Sequence, residues 1–216
     1  MQILAINWQD LSNPRAGGAE IHFHEIFKRI VQKGHKVTLL CSHYTGAKEY
    51  EEIDGIRIIR KGSWFVFNFF AFWEIKKILK QEKWDLVIED INKLPFYSHL
   101  WHNLPLLVIV HHFFDKAIFR EVNPIFGTYV FLSERSVPWL YRKKRFLAVS
   151  ESTKEELLKR GIPEEKIKVI YCGIDHQVFR VNPDLKKDPV PTILYLGRLK
   201  KYKRVDLLIK ALPLVI

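Results

Sequence analysis

The sequence predicts a doubly wound α/β fold built on a parallel sheet. Three observations carry that expectation. Short runs recur along the chain that are apolar from end to end, as strands are when helices cover both faces of a parallel sheet. Segments with apolar residues at i, i+3, i+4 and i+7 alternate with those runs. Polar loops bearing glycine or histidine follow several runs, at the strand ends where such sheets place their ligands.

The elements follow in order. Residues 3–8 form a first apolar run, and a polar loop with Asn13, Pro14, Gly17 and Gly18 comes next. Phe23, Ile26, Phe27 and Ile30 mark one helix face, which Gly34 closes as a C-cap. Residues 36–41 and 56–59 predict two more strands, and Phe72, Ile75 and Leu79 a second helix. Residues 85–89, 106–110 and 146–149 are further strand-like runs. Ser152 to Glu155 fits a capping box that opens a helix ending at Gly161, and residues 168–171 make another strand. The stretches 42–55 and 115–129 are expected as loops and carry no readable code.

Between residues 181 and 191 the composition changes, with three prolines and four charged side chains. That reads as a linker. A new strand at 192–196 and a helix with Val205, Leu208, Ile209 and Leu212 then restart the pattern. The expected organisation is one domain over residues 1–182, a linker over 183–191, and the truncated start of a second α/β domain over 192–216. One strand and one helix cannot bury their own apolar face, so the chain is expected to be a piece of a longer protein.

The 216 residues are 48% hydrophobic, enough for a normal core, and 35 Lys and Arg against 24 Asp and Glu give a net charge of +11. That balance favours anionic partners without choosing among them. Two cysteines, Cys41 and Cys172, build no disulfide framework and read as buried thiols. The N-terminus reads as a first strand with no secretory signal. The aromatic stretch 64–73 falls short of the about 20 apolar residues that span a bilayer. The expectation is a cytoplasmic protein.

Four motifs carry candidate chemistry. Gly17-Gly18-Ala19-Glu20 lies at a helix start, where bare backbone N–H groups can cradle an anion such as a phosphate. It equally fits a flexible turn, and it is neither G-x-G-x-x-G nor a Walker A loop. His111-His112 follows the run 106–110. A histidine there can act as a base, hold a hydroxyl or bond a sugar, or be an ordinary strand-end histidine. The basic loop from Gly197 to Arg204 sets Arg198 and Lys203 beside a helix start, an arrangement suited to a diphosphate or to plain solvation. Tyr171-Cys172-Gly173-Ile174-Asp175 is a strand, turn and acid. No histidine, cysteine or acid cluster has metal-ligand spacing, no Asp-x-Asp pair occurs, and no cofactor is implied.

Together, in this order and spacing, these motifs resemble glycosyltransferase family four, the retaining group of GT-B architecture. The double glycine is similar to the family's first loop, and Val110-His111 to its interdomain histidine motif. Residues 146–153 resemble the strand and helix start late in its first domain. Val169 to Asp175 resembles its glycine turn, with Cys172 where asparagine is usual. Leu196-Gly197-Arg198-Leu199, Lys203 and residues 206–211 resemble the opening of its donor domain. The segment from Glu89 to Pro95 looks like a subgroup marker without an evident role.

The resemblance implies a Rossmann-like GT-B N-terminal domain and metal-independent, retaining transfer from a nucleotide-sugar donor to a glycan or lipid-linked acceptor. It implies that Gly17 and Gly18 approach the donor diphosphate, that His111 sits near the transferring sugar as the catalytic candidate, and that Arg198 and Lys203 neutralise the leaving diphosphate. The family's paired glutamates do not occur by residue 216, so the chain alone is expected to bind donor weakly and to transfer no sugar.

Two other classes compete. A nucleic-acid-binding protein has only net charge in its favour, since no recognised motif for it occurs; nucleic acid is not an expected partner. A dinucleotide-dependent oxidoreductase lacks its glycine fingerprint. Trp139-Leu-Tyr141 followed by Arg142, Lys143, Lys144 and Arg145, with the aromatic stretch 65–72, suits contact with the inner face of an anionic membrane, or else a solvated helix end.

Overall fold

The computed structural model describes the chain except residues 93, 185, 187, 188, 198, 200, 215 and 216. The expected sheet is present and has eight strands. They are β1 (Gln2–Ile6), β2 (Lys36–His43), β3 (Tyr50–Ile53), β4 (Ile56–Ser63), β5 (Leu86–Ile91), β6 (Leu106–Val110), β7 (Arg145–Ala148) and β8 (Ile167–Val169). The spatial order is β3-β4-β2-β1-β5-β6-β7-β8. Every neighbouring pair is parallel except the edge pair β3–β4. The α-helices are α1 (Gly18–Gln32), α2 (Phe67–Gln81), α3 (Pro124–Leu140), α4 (Glu151–Lys159) and α5 (Val205–Ala211).

Alternate strand residues feed two cores. Leu4, Ile6, Leu40, Val87, Val108 and Val110 face Phe67, Ala71 and Ile75 of α2, with Val137 of α3 and Leu157 of α4. Ile3, Ala5, Leu39, Ile58, Ile88 and Ile109 face Phe23 and Phe27 of α1. Burial on both faces explains why these strands read as unbroken apolar runs.

The chain winds from β1 through β2 to one edge, then returns beside β1 as β5 and continues to the other edge. The β1/β5 boundary is therefore the topological switch point, and its carboxyl end is where ligands bind in such sheets.

Several expectations need correction. The stretch 42–55 contains β3, joined to β4 by Asp54 (φ 51°) and Gly55 (φ 77°), both left-handed. An Asp-Gly pair of that kind closes a two-residue hairpin. The stretch 115–129 contains a 3-10 turn at Asp115–Arg120 and the first residues of α3. Asn123 caps α3 by accepting the Phe126 N–H, with Pro124 at the first helical position. The cap of α4 is Ser150, not Ser152: its Oγ accepts the Thr153 N–H at 3.2 Å. Cys41 is buried as expected, but Cys172 is exposed.

Residues 192–196 are irregular, with Leu194 and Leu196 exposed, and form no strand. A strand forms only against a hydrogen-bonding partner, and among the described residues the sheet's last strand, β8, ends far upstream. The helix expected after it is α5, which buries none of its residues.

A buried ion pair ties the loop after β1 to the sheet. Arg60 of β4 and Asp10 are both fully buried, with Arg60 Nε donating to Asp10 Oδ2 at 2.7 Å and Nη2 to Oδ1 at 3.2 Å. Arg60 Nη1 also meets Glu51 at 2.8 Å and donates to the Lys48 carbonyl at 2.9 Å. Asp10 in turn accepts the Ser12 N–H. The loop that delivers Gly17 and Gly18 is thus anchored at its start.

Candidate functional site

The site forms where β1, β5 and β6 end beneath the start of α1. Gly17 is the N-cap of α1 in an extended conformation, and Glu20 Oε2 accepts its N–H at 2.7 Å. Gly18 is exposed, and a Cβ placed on it would meet nothing within 4 Å. The helix start therefore faces open space, and its first-turn N–H groups have no acceptor inside the helix. That leaves it able to take an anion.

A hydrogen-bonded chain locks this turn to the strand ends. Asn92, just past β5, donates from Nδ2 to Glu20 Oε1 at 3.1 Å and to Asn7 Oδ1 at 3.2 Å. Asn7 Oδ1 also accepts the Trp8 N–H. Asn7, Glu20 and Asn92 are all buried, so the network is held rigidly.

His111 leaves the end of β6 on the α1 face of the sheet. Its backbone carbonyl accepts from Thr153 Oγ1 of α4 at 2.9 Å. Its Nε2 lies 3.2 Å from Oδ1 of Asp90, a buried β5 residue paired in register with Ile109. The His22 ring, from the first turns of α1, meets the His111 ring edge-on at 5.2 Å. Burial disfavours charge on His111, but the Asp90 carboxylate 3.2 Å from Nε2 and the charge of Glu20 outweigh it, so the imidazole titrates above its usual range. His22 titrates below its usual range, from burial and then from repulsion by His111. Two adjacent histidines are thus pushed apart in proton affinity, as donor–acceptor pairs in active sites are.

The loop after His111 is anchored as well. Glu134 of α3 is buried and accepts the Phe114 and Asp115 N–H groups, each at 2.8 Å. His112 is exposed, with its ring edge-on to Phe114 at 4.8 Å.

Of the residues predicted from sequence, Gly17, Gly18 and His111 come together at the switch point. Lys203 ends the short turn Lys201–Lys203, which packs against the turn Asp115–Arg120. Arg198 lies outside the described residues. Sequence reasoning missed Glu20, His22, Asp90 and Asn92. The Glu89-Asp90-Ile91-Asn92 string was visible as a polar break at the end of an apolar strand, and the structure gives it work: Asp90 and Asn92 serve the cleft, while Glu89 faces the other side.

A Rossmann-like sheet with an open helix start and a histidine at its switch point is the frame in which doubly wound α/β proteins bind ligands. Comparison with known proteins makes this specific. The model of Glycosyltransferase Family 4 matches residues 16–178, and the chain belongs to that family. The match begins at the double-glycine turn. An uncharacterized glycosyltransferase of Methanocaldococcus jannaschii is 27% identical, covering all of this chain and 60% of that protein.

Among solved structures, sucrose-phosphate synthase from Thermosynechococcus elongatus shares the fold with a TM-score of 0.71 at 16% identity, covering 98% of this chain and 59% of that one. A glycosyltransferase from Rickettsia africae aligns with a TM-score of 0.59 at 24% identity, over 85% of this chain and 46% of that one. Anabaena HepE, solved in complex with UDP and glucose, aligns with a TM-score of 0.53 at 16% identity, over 85% of this chain and 47% of that one. The chain thus spans roughly half of the solved structures and 60% of the curated relative.

Proposed function

We propose that this chain forms the acceptor-side part of a glycosyltransferase that moves a sugar from a nucleotide-sugar donor onto a glycan or lipid-linked acceptor, in glycoconjugate or cell-envelope synthesis. The observation that carries the reading is the meeting of the open Gly17–Gly18 helix start with His111 at the switch point. A nucleotide sugar has a diphosphate for the first and a polar sugar for the second. HepE, of the same fold, binds UDP and glucose. Arg198 and Lys203 supply cations that balance the diphosphate as it leaves, in place of a metal. The reaction retains the anomeric configuration. Residues 192–216 belong to the donor-binding side of the cleft in this reading.

The test is a transfer assay on the full gene product. It is expected to release nucleoside diphosphate from a nucleotide sugar in the presence of acceptor, with EDTA having no effect, and His111→Ala is expected to lower the rate by about 10²–10³-fold. The 216-residue chain is expected to transfer nothing. Inactivity of the full product with a panel of nucleotide sugars rejects the function, and transfer by the chain alone rejects the two-domain requirement.

The same reading includes peripheral contact with an anionic membrane at the cytoplasmic face. Among the described residues no helix is long and apolar enough to cross a bilayer. Yet α2 and α3 lie side by side, joined by Asn68 and Tyr129, by Phe69 stacked on Tyr129, and by Phe65 against Phe126. Outward from them stand Phe69, Trp73, Ile125, Leu132 and Trp139, the last 87% exposed. Lys77 and Lys80 of α2 and Arg142 and Lys143 beyond α3 supply exposed cations. Tyr141, expected in this patch, is instead fully buried. Aromatic side chains beside cations favour an anionic interface. Vesicles rich in phosphatidylserine are expected to co-sediment the chain at low salt and release it at high salt, with Trp139→Ala weakening the binding. Equal recovery with neutral vesicles, or none with either, counts against it.

A further inference from the structure

The polar break at the end of β5 has no assigned role in transfer, and it holds a carboxylate, Asp90, within 3.2 Å of the His111 ring. β5 is central, and Asp90 sits on it with 1% of its surface exposed. A carboxylate so deep is retained at a cost unless a cation or donor answers it. Asp90 on β5 and His111, just past the end of the adjacent parallel strand β6, lie on the same face, with Nε2 3.2 Å from Oδ1. The other ring nitrogen, Nδ1, is then the one able to meet a substrate oxygen. Thr153 fixes the His111 backbone from α4. One end of the residue is thus held by a hydroxyl and the other by a carboxylate, which together leave the ring little freedom.

We propose that Asp90 is the positioning residue of this site, orienting the His111 imidazole through Nε2 so that Nδ1 is presented to the substrate. This deepens the glycosyltransferase reading and rests on it for the identity of the substrate. Asp90 on β5, Glu20 and His22 on α1 and the Thr153 hydroxyl of α4 face this residue, and the two carboxylates raise the proton affinity of the imidazole against its burial. Held in this way, Nδ1 is free to bond a sugar or phosphate oxygen.

The orientation is readable without knowing the substrate. Histidine ring resonances of the 216-residue chain are followed by NMR against pH, in the native sequence, in Asp90→Asn and in Asp90→Glu. In Asp90→Asn the His111 midpoint is expected to move to lower pH, because burial then dominates, and the His22 midpoint to higher pH, because its charged neighbour is lost. Asp90→Glu is expected to restore part of both shifts. A merely structural aspartate would not move the two histidines in opposite directions. If Asp90→Asn fails to fold, the native chain decides: ring ¹⁵N shifts must show Nε2 protonated above the His111 midpoint. An unshifted or raised His111 midpoint in folded Asp90→Asn, or a native ring protonated only at Nδ1 above that midpoint, overturns the proposal. Either result leaves the transfer assay on the full product to judge the enzyme reading separately.

Discussion

Arg60→Met is expected to lower the unfolding free energy of the chain by about 3–5 kcal/mol, the cost of leaving a buried charge without its partner. The stranded group is Asp10, whose carboxylate has no exposed surface and takes a bidentate bond from Arg60. Burial alone would raise the Asp10 carboxyl above its usual range, but the bond and charge of Arg60 reverse that and hold it below. In the native chain this pair contributes stability that is present above the unfolded carboxyl range and is lost as pH falls through the folded one. In the variant, only burial and the Ser12 and Cys41 bonds remain, and protonation relieves the burial penalty. The gap between the two proteins is therefore expected to be widest near neutrality and to narrow in acid. Urea denaturation at several pH values measures it. A second variant, Asp10→Leu with Arg60→Met, is expected to recover much of the loss, since apolar pairs of similar volume replace buried ion pairs well. A gap under about 1 kcal/mol at neutral pH would mean that the pair is not closed in solution.

The consequence for function follows from where Asp10 stands. It begins the loop that ends at Gly17, and its carbonyl accepts the Asn13 N–H while Asn13 accepts from Arg15. A Cβ placed on Gly18 would meet nothing within 4 Å. The position of that turn depends on Glu20 and Asn92 at one end and on the Asp10–Arg60 pair at the other. A loosened loop is expected to weaken anion binding at the helix start before the sheet itself melts.

The fold was largely legible because its signals are local. Strands β1, β2, β5 and β6 are buried on both faces, so their residues cannot alternate in polarity, and they stood out as apolar runs. The α1 stripe was equally plain, because only one side of that helix meets the sheet. β3 escaped because its residues are only partly buried at the sheet edge, although Asp54-Gly55 before an apolar run was a usable hairpin signal. α3 escaped for the opposite reason. Ile125, Leu132 and Trp139 stand outward, so its apolar residues ring the helix and mark no stripe. The Asn123-Pro124 start was its readable sign.

The site was legible only in part. Gly17, Gly18 and His111 sit just past strand ends, a position that sequence order alone reveals. Asp90, Asn92, Glu20 and His22 act through contacts between residues far apart in the chain. Asp90 reaches His111 only because β5 and β6 pair in one register, and a shift of one residue would turn it to the α2 face. No spacing in the sequence encodes that register.

Glu89→Ala tests the opposite side of the same strand and is expected to cost roughly 3 kcal/mol or more, at about 1–3 kcal/mol for each buried donor left without an acceptor. There are three such donors. Glu89 is fully buried and accepts the Ser98 N–H at 2.7 Å, the Phe96 N–H at 3.2 Å and the Tyr141 hydroxyl at 2.6 Å. Tyr141, at the C-cap of α3, also accepts the Tyr97 N–H at 2.6 Å. One carboxylate therefore holds the segment 96–98 and the end of α3 to the central strand. Tyr141→Phe, which removes one hydroxyl from this network, is expected to lose less. Burial raises the Glu89 carboxyl above its usual range, and the bonds it accepts only partly offset that. The folded chain thus holds the Glu89 proton more tightly than the unfolded chain does. Stability from this group rises as pH falls through its folded range and levels off below the unfolded one. The difference between native chain and Glu89→Ala is accordingly expected to widen on mild acidification, the reverse of the Arg60→Met trend. A difference that narrows in acid would mean that Glu89 is answered by a cation in solution, and that the β5 end is organised by charge pairing on both faces and not on the His111 side alone.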